Sequence, residues 1–366
     1  MVGRAVLLTF VLAIVALAAR AEPPEDRIAA LRRGVNLTNW FRYPISTAPA
    51  ALGSYLSDAA MSDLRRTGLG FVRLAVQPEL LPDLQPALIA QVARLQHQGL
   101  AVIVSLHPIS WHLETEPADR ARLVATWRAL ALALAPLDPR LTVPEVLNEP
   151  VFAGAPEAWQ ALQHRVLAEI RAALPAATVV LTGADWGSVA GLLASRPEPD
   201  PNVVYSVHLY DPAELTSLAA WRPGLDRAAL ARLPFPAGDP ASCERAVRPA
   251  ALDPTDPGTL GVVRFYCALR WDAARAAGPI EAAAGWAARN RAALLLGEFG
   301  ATSRLNAASR LAWLAAVREA SERHGIGWAL WGYDDGMGFG VARPPGKRPV
   351  LDPGVLRALG LVTPPE

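Results

Sequence analysis

Two glutamates in this chain stand where a carboxylate can be held for chemistry. Glu149 lies in the stretch 144–150, Pro-Glu-Val-Leu-Asn-Glu-Pro. It reads as the end of a short apolar strand, closed by a proline that cannot donate a further ladder hydrogen bond. Glu298 lies in Gly297-Glu298-Phe299-Gly300, at the end of a second apolar run. Asn148 sets an amide beside the first carboxylate. Arg73 sits within Val-Arg-Leu-Ala-Val, His107 closes the run 100–106, His208 and Tyr210 form His-Leu-Tyr, and Trp331 closes the run 327–331. Trp111 and Trp186 follow the third and fifth runs. Carboxylates among aromatic rings, imidazoles and an amide suit sugar chemistry, because ring faces stack on pyranose C–H faces while polar groups bind hydroxyls. Breaking a glycosidic bond needs one carboxyl group protonated and one ionised.

These side chains must be positioned by the elements that carry them. Strand-like apolar runs recur at 34–38, 71–76, 100–106, 141–147, 179–182, 203–208, 293–297 and 327–331. Most are continuous rather than alternating, as in parallel strands buried on both faces. Helix-like segments separate them, at 87–98, 119–134, 156–174 and 307–324, with Gly99 and Gly325 where helices end on a glycine. Strand–helix alternation repeated eight times predicts an α/β fold, the (β/α)8 TIM barrel, as a single domain over residues 22–366. Roughly 90 residues separate the sixth run from the seventh, far more than a crossover helix needs. Residues 211–292 therefore hold a long insertion between strands 6 and 7, expected to overhang the active face. In this barrel the site forms at the strand ends. The fourth and seventh ends face each other, so Glu149 and Glu298 are expected about 5 Å apart, the spacing of retaining enzymes.

Each residue alone has a plainer reading. Arg73 fits an ion pair inside the barrel, His107 and His208 fit satisfied core histidines, and Trp331, Trp111, Trp186 and Trp40 fit packing. Together they place polar chemistry at nearly every strand end. The set Arg73, His107, Asn148-Glu149-Pro150, His208-x-Tyr210, Gly297-Glu298-Phe299-Gly300 and Trp331, with the opening Arg33-Gly34-Val35-Asn36-Leu37, resembles glycoside hydrolase family 5, the cellulase family. The resemblance covers residues 33 to 335 and implies Glu149 as acid/base and Glu298 as nucleophile in a double displacement. It implies Asn148 on the sugar 2-hydroxyl, His107 and His208 holding hydroxyls and orienting the carboxylates, and Trp331 under the reacting sugar, with Trp186 and Trp111 as neighbours. Arg73 and the Tyr210 hydroxyl are expected beside Glu298, favouring its ionised form. Glu149, facing that negative charge, is expected to keep its proton near neutral pH.

The most direct function is an endo-β-1,4-glucanase acting on a polysaccharide or oligosaccharide, with no cofactor and no metal. A β-1,3-glucanase, β-mannanase, exo-β-glucosidase or envelope-polysaccharide transglycosylase would use the same residues. A binding protein on a dead barrel would lack one carboxylate, and both are present. The 366 residues are 52% hydrophobic, enough for a large core. Residues 1–21 read as a signal peptide: Arg4, an apolar run over 5–19, then Ala19-Arg20-Ala21, with cleavage after Ala21; an uncleaved anchor is the alternative. Removing Arg4 and Arg20 takes 35 basic against 34 acidic residues to 33 against 34, a net charge of −1. Such a balance gives no electrostatic reason to bind nucleic acid or a membrane surface. The mature chain is expected to be a secreted or periplasmic monomer. In an oxidising compartment Cys243 and Cys267 pair as a disulfide; the alternative is two buried thiols.

Overall fold

In a computed structural model, residues 23–152, 154–247, 256–342 and 349–364 are described. The signal-peptide expectation for 1–21 lies outside them. Eight strands close in sequence order into one parallel barrel: β1 (Arg33–Phe41), β2 (Phe71–Val76), β3 (Ala101–Leu106), β4 (Thr142–Glu145), β5 (Val179–Thr182), β6 (Val203–Leu209), β7 (Ala293–Phe299) and β8 (Gly327–Leu330). All eight expected runs are strands. The fourth is shorter than read, because Pro144 sits inside it and has no N–H to give. The β4–β5 register accordingly rests on Glu145↔Val180, while β2 and β3 pair over six residues.

The apolar residues divide into two cores. Inside the barrel, Phe71, Ile103, Val143, Val180, Val204, Leu295 and Ala329 fill the lower layers, with Leu31 packed against them. The helix Glu25–Ala30 contributes Ile28 and Ala30 to the same cluster, closing the lower end. Outside, helices such as Leu81–His97, Pro117–Leu134, Pro156–Ala173 and Ala307–Arg323 pack Leu, Val and Trp side chains against the outer faces of the strands. Both faces of each strand are thereby dry, which is why the runs read as continuous. Gly99 and Gly325 follow two of these helices at φ +77° and +68°, a conformation that penalises any side chain. Among the described residues, no helix is long and apolar enough to cross a membrane.

The insertion after β6 is narrower than 211–292. Ala273–Asn290 is the regular crossover helix that precedes β7, so the added chain is 211–272. It carries the helices Ala213–Thr216, Arg227–Leu230, Pro240–Val247 and Pro257–Ala268. It docks on the segment following β7. Thr302 donates to Thr216 O at 2.7 Å, Asn306 N to Ala231 O at 2.8 Å, and the Asn306 side chain to Leu233 O at 2.9 Å. The insertion therefore sits at the upper mouth, beside the end of β7. Cys243 and Cys267 join two of its helices with their Cα atoms 5.6 Å apart. The bridge closes a loop of 24 residues, so replacing both cysteines by alanine should lower stability by about 3 kcal/mol on the chain-entropy account. Denaturant unfolding with and without reductant checks this: the native chain should lose stability on reduction and the double variant should not respond.

Candidate active site

The upper half of the barrel interior is polar. Asn36, Arg73, Ser105 and Glu145 stand on the four neighbouring strands β1 to β4, one layer above the apolar floor, and all four are fully buried. Arg73 organises the layer. Its Nε and Nη2 hold the two Glu145 oxygens at 2.6 and 2.7 Å. Nη1 reaches Glu298 Oε1 at 2.5 Å and Asn36 Oδ1 at 2.9 Å, and Nη2 also donates to Asn148 Oδ1 at 2.8 Å and Ser105 Oγ at 3.1 Å. Burial works against the guanidinium charge, but the carboxylates of Glu145 and Glu298 outweigh it and hold Arg73 charged well past its ordinary range. Asn36 in turn donates to the carbonyls of Gly297 and Leu330 at 3.1 and 3.2 Å, fixing the backbone that bears Glu298.

Sequence reasoning missed Glu145. The signal was present: two residues after the inward-facing Val143, it lies on the inner face of its strand. A buried carboxylate requires a buried cation, and Arg73 was already placed inside.

The two glutamates meet above this layer. One carboxylate oxygen of each, and one ring nitrogen of His208, all lie within 4.8 Å of one another. The Glu298 side chain is 4% exposed and that of Glu149 28%. Tyr210 donates its hydroxyl to Glu298 Oε2 at 2.8 Å, so both Glu298 oxygens are engaged, one by Arg73 and one by Tyr210. Burial first, then the negative charges of Glu298 and Glu149, push the Tyr210 hydroxyl far above its ordinary value and keep it a donor. Gly297 makes room for this arrangement. A Cβ there would stand 2.2 Å from Ser206 Oγ and 3.4 Å from His208 Nε2.

Protonation differs from the sequence expectation in the free site. His208 Nδ1 lies 2.9 Å from Glu149 Oε1 and 3.6 Å from Glu298 Oε2. Burial disfavours the imidazolium, but the charge of Glu298 and the bond to Glu149 overcome it and raise His208. Burial likewise pushes Glu149 up, yet the His208 bond and the charges of His208, Arg73 and Arg42 bring it below its ordinary value. The proton expected on Glu149 thus rests on His208, and the two titrate as a pair. Glu298 was the neighbour weighed from sequence for this proton; His208 Nδ1 shares a 2.9 Å hydrogen bond with Glu149. His107 is neutral: burial first, then the charges of Arg73, Arg42 and His208, hold it well below its usual range, and neither ring nitrogen has a partner among the described residues.

Glu149 opens into a cleft of about 270 Å³ lined by Arg42, His107, Trp111, His112, Asn148 and Trp186 among others. Trp331 lies beside it, its ring 6.1 Å from that of His107. Trp111 is nearly buried, while Trp186 is 58% exposed at the rim. Asp185, Trp186 and Gly187 all have φ near +60°, and Trp186 N is held by Pro150 O at 3.1 Å. Two consecutive non-glycine residues in the left-handed region are costly and are kept where the surroundings fix them. Trp40 faces away, buried against Tyr55 in the outer core. A larger cavity of about 690 Å³, with Arg32, Gly70, Gly99 and Ile326, opens at the opposite end, where strands begin; it lacks the carboxylate pair. Glu149, His208 and Glu298 are also spaced like metal ligands. Arg73, Tyr210 and the His208–Glu149 bond already occupy the atoms such an ion would need.

The pairing has a spectroscopic consequence. Raised by its partner's charge, His208 should titrate above the ordinary histidine value of about 6.5, and Glu149→Gln should lower its midpoint. Ring-proton NMR titration of the chain's six histidines in both forms measures it; an unmoved midpoint would show that Glu149 does not hold the His208 proton.

Comparison with known proteins agrees with this geometry. Residues 32–336 match the cellulase family, glycosyl hydrolase family 5. Endoglucanase 3 of Fibrobacter succinogenes is 25% identical over 348 residues, covering 84% of this chain and 50% of that protein. Endoglucanase H of Acetivibrio thermocellus is 21% identical, covering 87% of this chain and 31% of that one. The chain thus spans half or less of the length of these curated relatives. Among solved structures, endoglucanase Cel5A of Thermotoga maritima superimposes with a TM-score of 0.71 at 20% identity, covering 92% of this chain and 99% of that one. That enzyme has been solved with cellobiose and with mannotriose. A closed eight-stranded barrel with paired glutamates at its upper mouth, and a family match over most of its length, show that this chain belongs to glycosyl hydrolase family 5.

Proposed function

We propose that this chain is a retaining glycoside hydrolase that cleaves β-1,4-glucosidic bonds within a polysaccharide, with Glu298 as nucleophile and Glu149 as acid/base. The observation that carries the reading is the approach of the two carboxylates to within 4.8 Å at the upper mouth of the barrel. Retaining enzymes hold their carboxyls about 5–5.5 Å apart, whereas inverting ones leave room for a water. Arg73 and Tyr210 aim Glu298 by binding both oxygens, leaving its ionised lone pairs directed at an anomeric carbon.

The proton on the Glu149–His208 pair supplies the acid. Substrate entering the cleft displaces water and disfavours the separated charges of the pair. The proton then moves from His208 Nδ1 along the 2.9 Å bond to Glu149, which passes it to the leaving oxygen. Once Glu298 is esterified its negative charge is gone, and Glu149 becomes the base toward water. Asn148, whose Oδ1 is tied to Arg73, presents its N–H₂ to the sugar 2-hydroxyl. His107 offers one donor and one acceptor to hydroxyls, and Trp331 receives the sugar face, with Trp111 and Trp186 along the cleft. The relatives named endoglucanase support internal cleavage of a β-glucan, and the mannotriose complexes of Thermotoga maritima Cel5A make β-mannan the second substrate to test. The Cys243–Cys267 bridge and the leader-like sequence pattern of residues 1–21 support export to an oxidising compartment.

Glu298→Gln should abolish turnover of β-1,4-glucan, and Glu149→Gln should lower it about 10²–10⁴-fold, with both variants still folded, Glu298→Gln the less stable of the two because it breaks the buried pair with Arg73; reducing-end release and circular dichroism measure the two effects. The first product seen by NMR should carry the β-anomer. An initial α-anomer would rule out double displacement.

A further inference from the structure

Arg42 is a charge in the cleft whose field reaches Glu149 and His107 but whose donors the proposed chemistry leaves unused. It stands one residue beyond β1 and shares the cavity with His107, Asn148, Glu149 and Trp186. Its guanidinium lies 4.9 Å from the ring centre of Tyr43 and 5.7 Å from that of Trp331. Its Nε is buried and meets no acceptor among the described residues, and Arg42 joins none of the ion pairs found among them. Arg73, in the same site, is bonded to five side chains. A buried N–H without a partner costs about 1–3 kcal/mol, and such a group in a cleft marks a position an incoming acceptor fills.

The chemistry of that acceptor follows from what already lines the cleft. Neutral hydroxyls are served by His107, Asn148 and Glu149, and none of them needs a fixed positive charge. The carboxylates of Glu149 and Glu298 would repel an acidic sugar; Arg42 is the cation placed to offset them. Its planar fork matches a carboxylate with two parallel bonds, and charge-assisted bonds are roughly twice as strong as neutral ones. The aromatic rings of Tyr43 and Trp331 hold the guanidinium by its face and leave its edge for the ligand. We propose that Arg42 binds a carboxylate carried on the saccharide, so that the preferred substrate is a β-glucan bearing acidic units rather than plain cellulose. This rests on the glycosidase reading only for the identity of the cleft.

Two β-1,4-linked gluco-oligosaccharides of equal length test it, one neutral and one with a single unit oxidised at C6 to a uronate. Calorimetric titration of the intact chain at low ionic strength should give about tenfold tighter binding of the acidic oligomer. Arg42→Met should bring the two affinities together, and Arg42→Lys, which keeps the charge without the fork, should retain part of the preference. Equal affinities in the parent chain, an undiminished preference in Arg42→Met, tighter binding of a phosphorylated oligomer than of the uronate, or no binding of either β-glucan would each overturn the proposal. Thio-linked analogues of both oligomers, which resist cleavage, keep the titration free of turnover, and hydrolysis of the oxygen-linked neutral oligomer reports separately on the glycosidase reading.

Discussion

One buried cation holds this site together. Arg73 lies between Glu145 below and Glu298 above, all three nearly or wholly removed from solvent. Taking a carboxylate out of water costs several kcal/mol even after relaxation, and only a well-placed opposite charge returns it. With both carboxylates bonded to one rigid guanidinium, neither can turn without stranding the other. Asn36, Ser105 and Asn148 complete the set, so strands β1 to β4 are tied at the level where Glu298 from β7 must be presented. The orientation of Glu298 is therefore a property of five strands, and the barrel's closure keeps them in register.

The same charge economy sets the protons. One guanidinium is shared between Glu145 and Glu298, which leaves negative potential around Glu298 and Glu149. His208 sits between these two acids and takes up a proton there, although burial alone would keep it neutral. His107 is driven the other way, by burial first and then by the charges of Arg73, Arg42 and His208. Two imidazoles in one small site are thus shifted in opposite directions by the charges around them.

Around this fixed centre the variable parts are loops. The described part of the insertion over 211–272 is anchored to the segment after β7 and stapled by a disulfide, and it adds nothing to the barrel's strand pairing. The left-handed turn at 185–187 does the equivalent on the other side, holding Trp186 out at the rim. Rigid strands carrying the chemistry and loops shaping what reaches it is the division of labour this barrel permits.

Much was legible in the chain itself. Continuous apolar runs announced strands buried on both faces, since a two-sided environment leaves no alternation. Glu149, Glu298, Arg73, His208 and Tyr210 could be picked out because polar groups at the ends of such runs face a barrel mouth. Sequence also bounded the insertion from above, by length alone. What only the tertiary structure decided was partnership. Glu145 and Arg73 are 72 positions apart, Arg73 and Glu298 225, and Glu149 and His208 59. Whether such groups share a dry volume, and in which order their distances fall, is set by barrel closure, on which local propensity is silent. For that reason the sequence brought Glu149 and Glu298 into view but paired Glu149 with the wrong neighbour, His208 being the group that shares its hydrogen bond, and it passed over Arg42, whose surroundings only the folded cleft assembles.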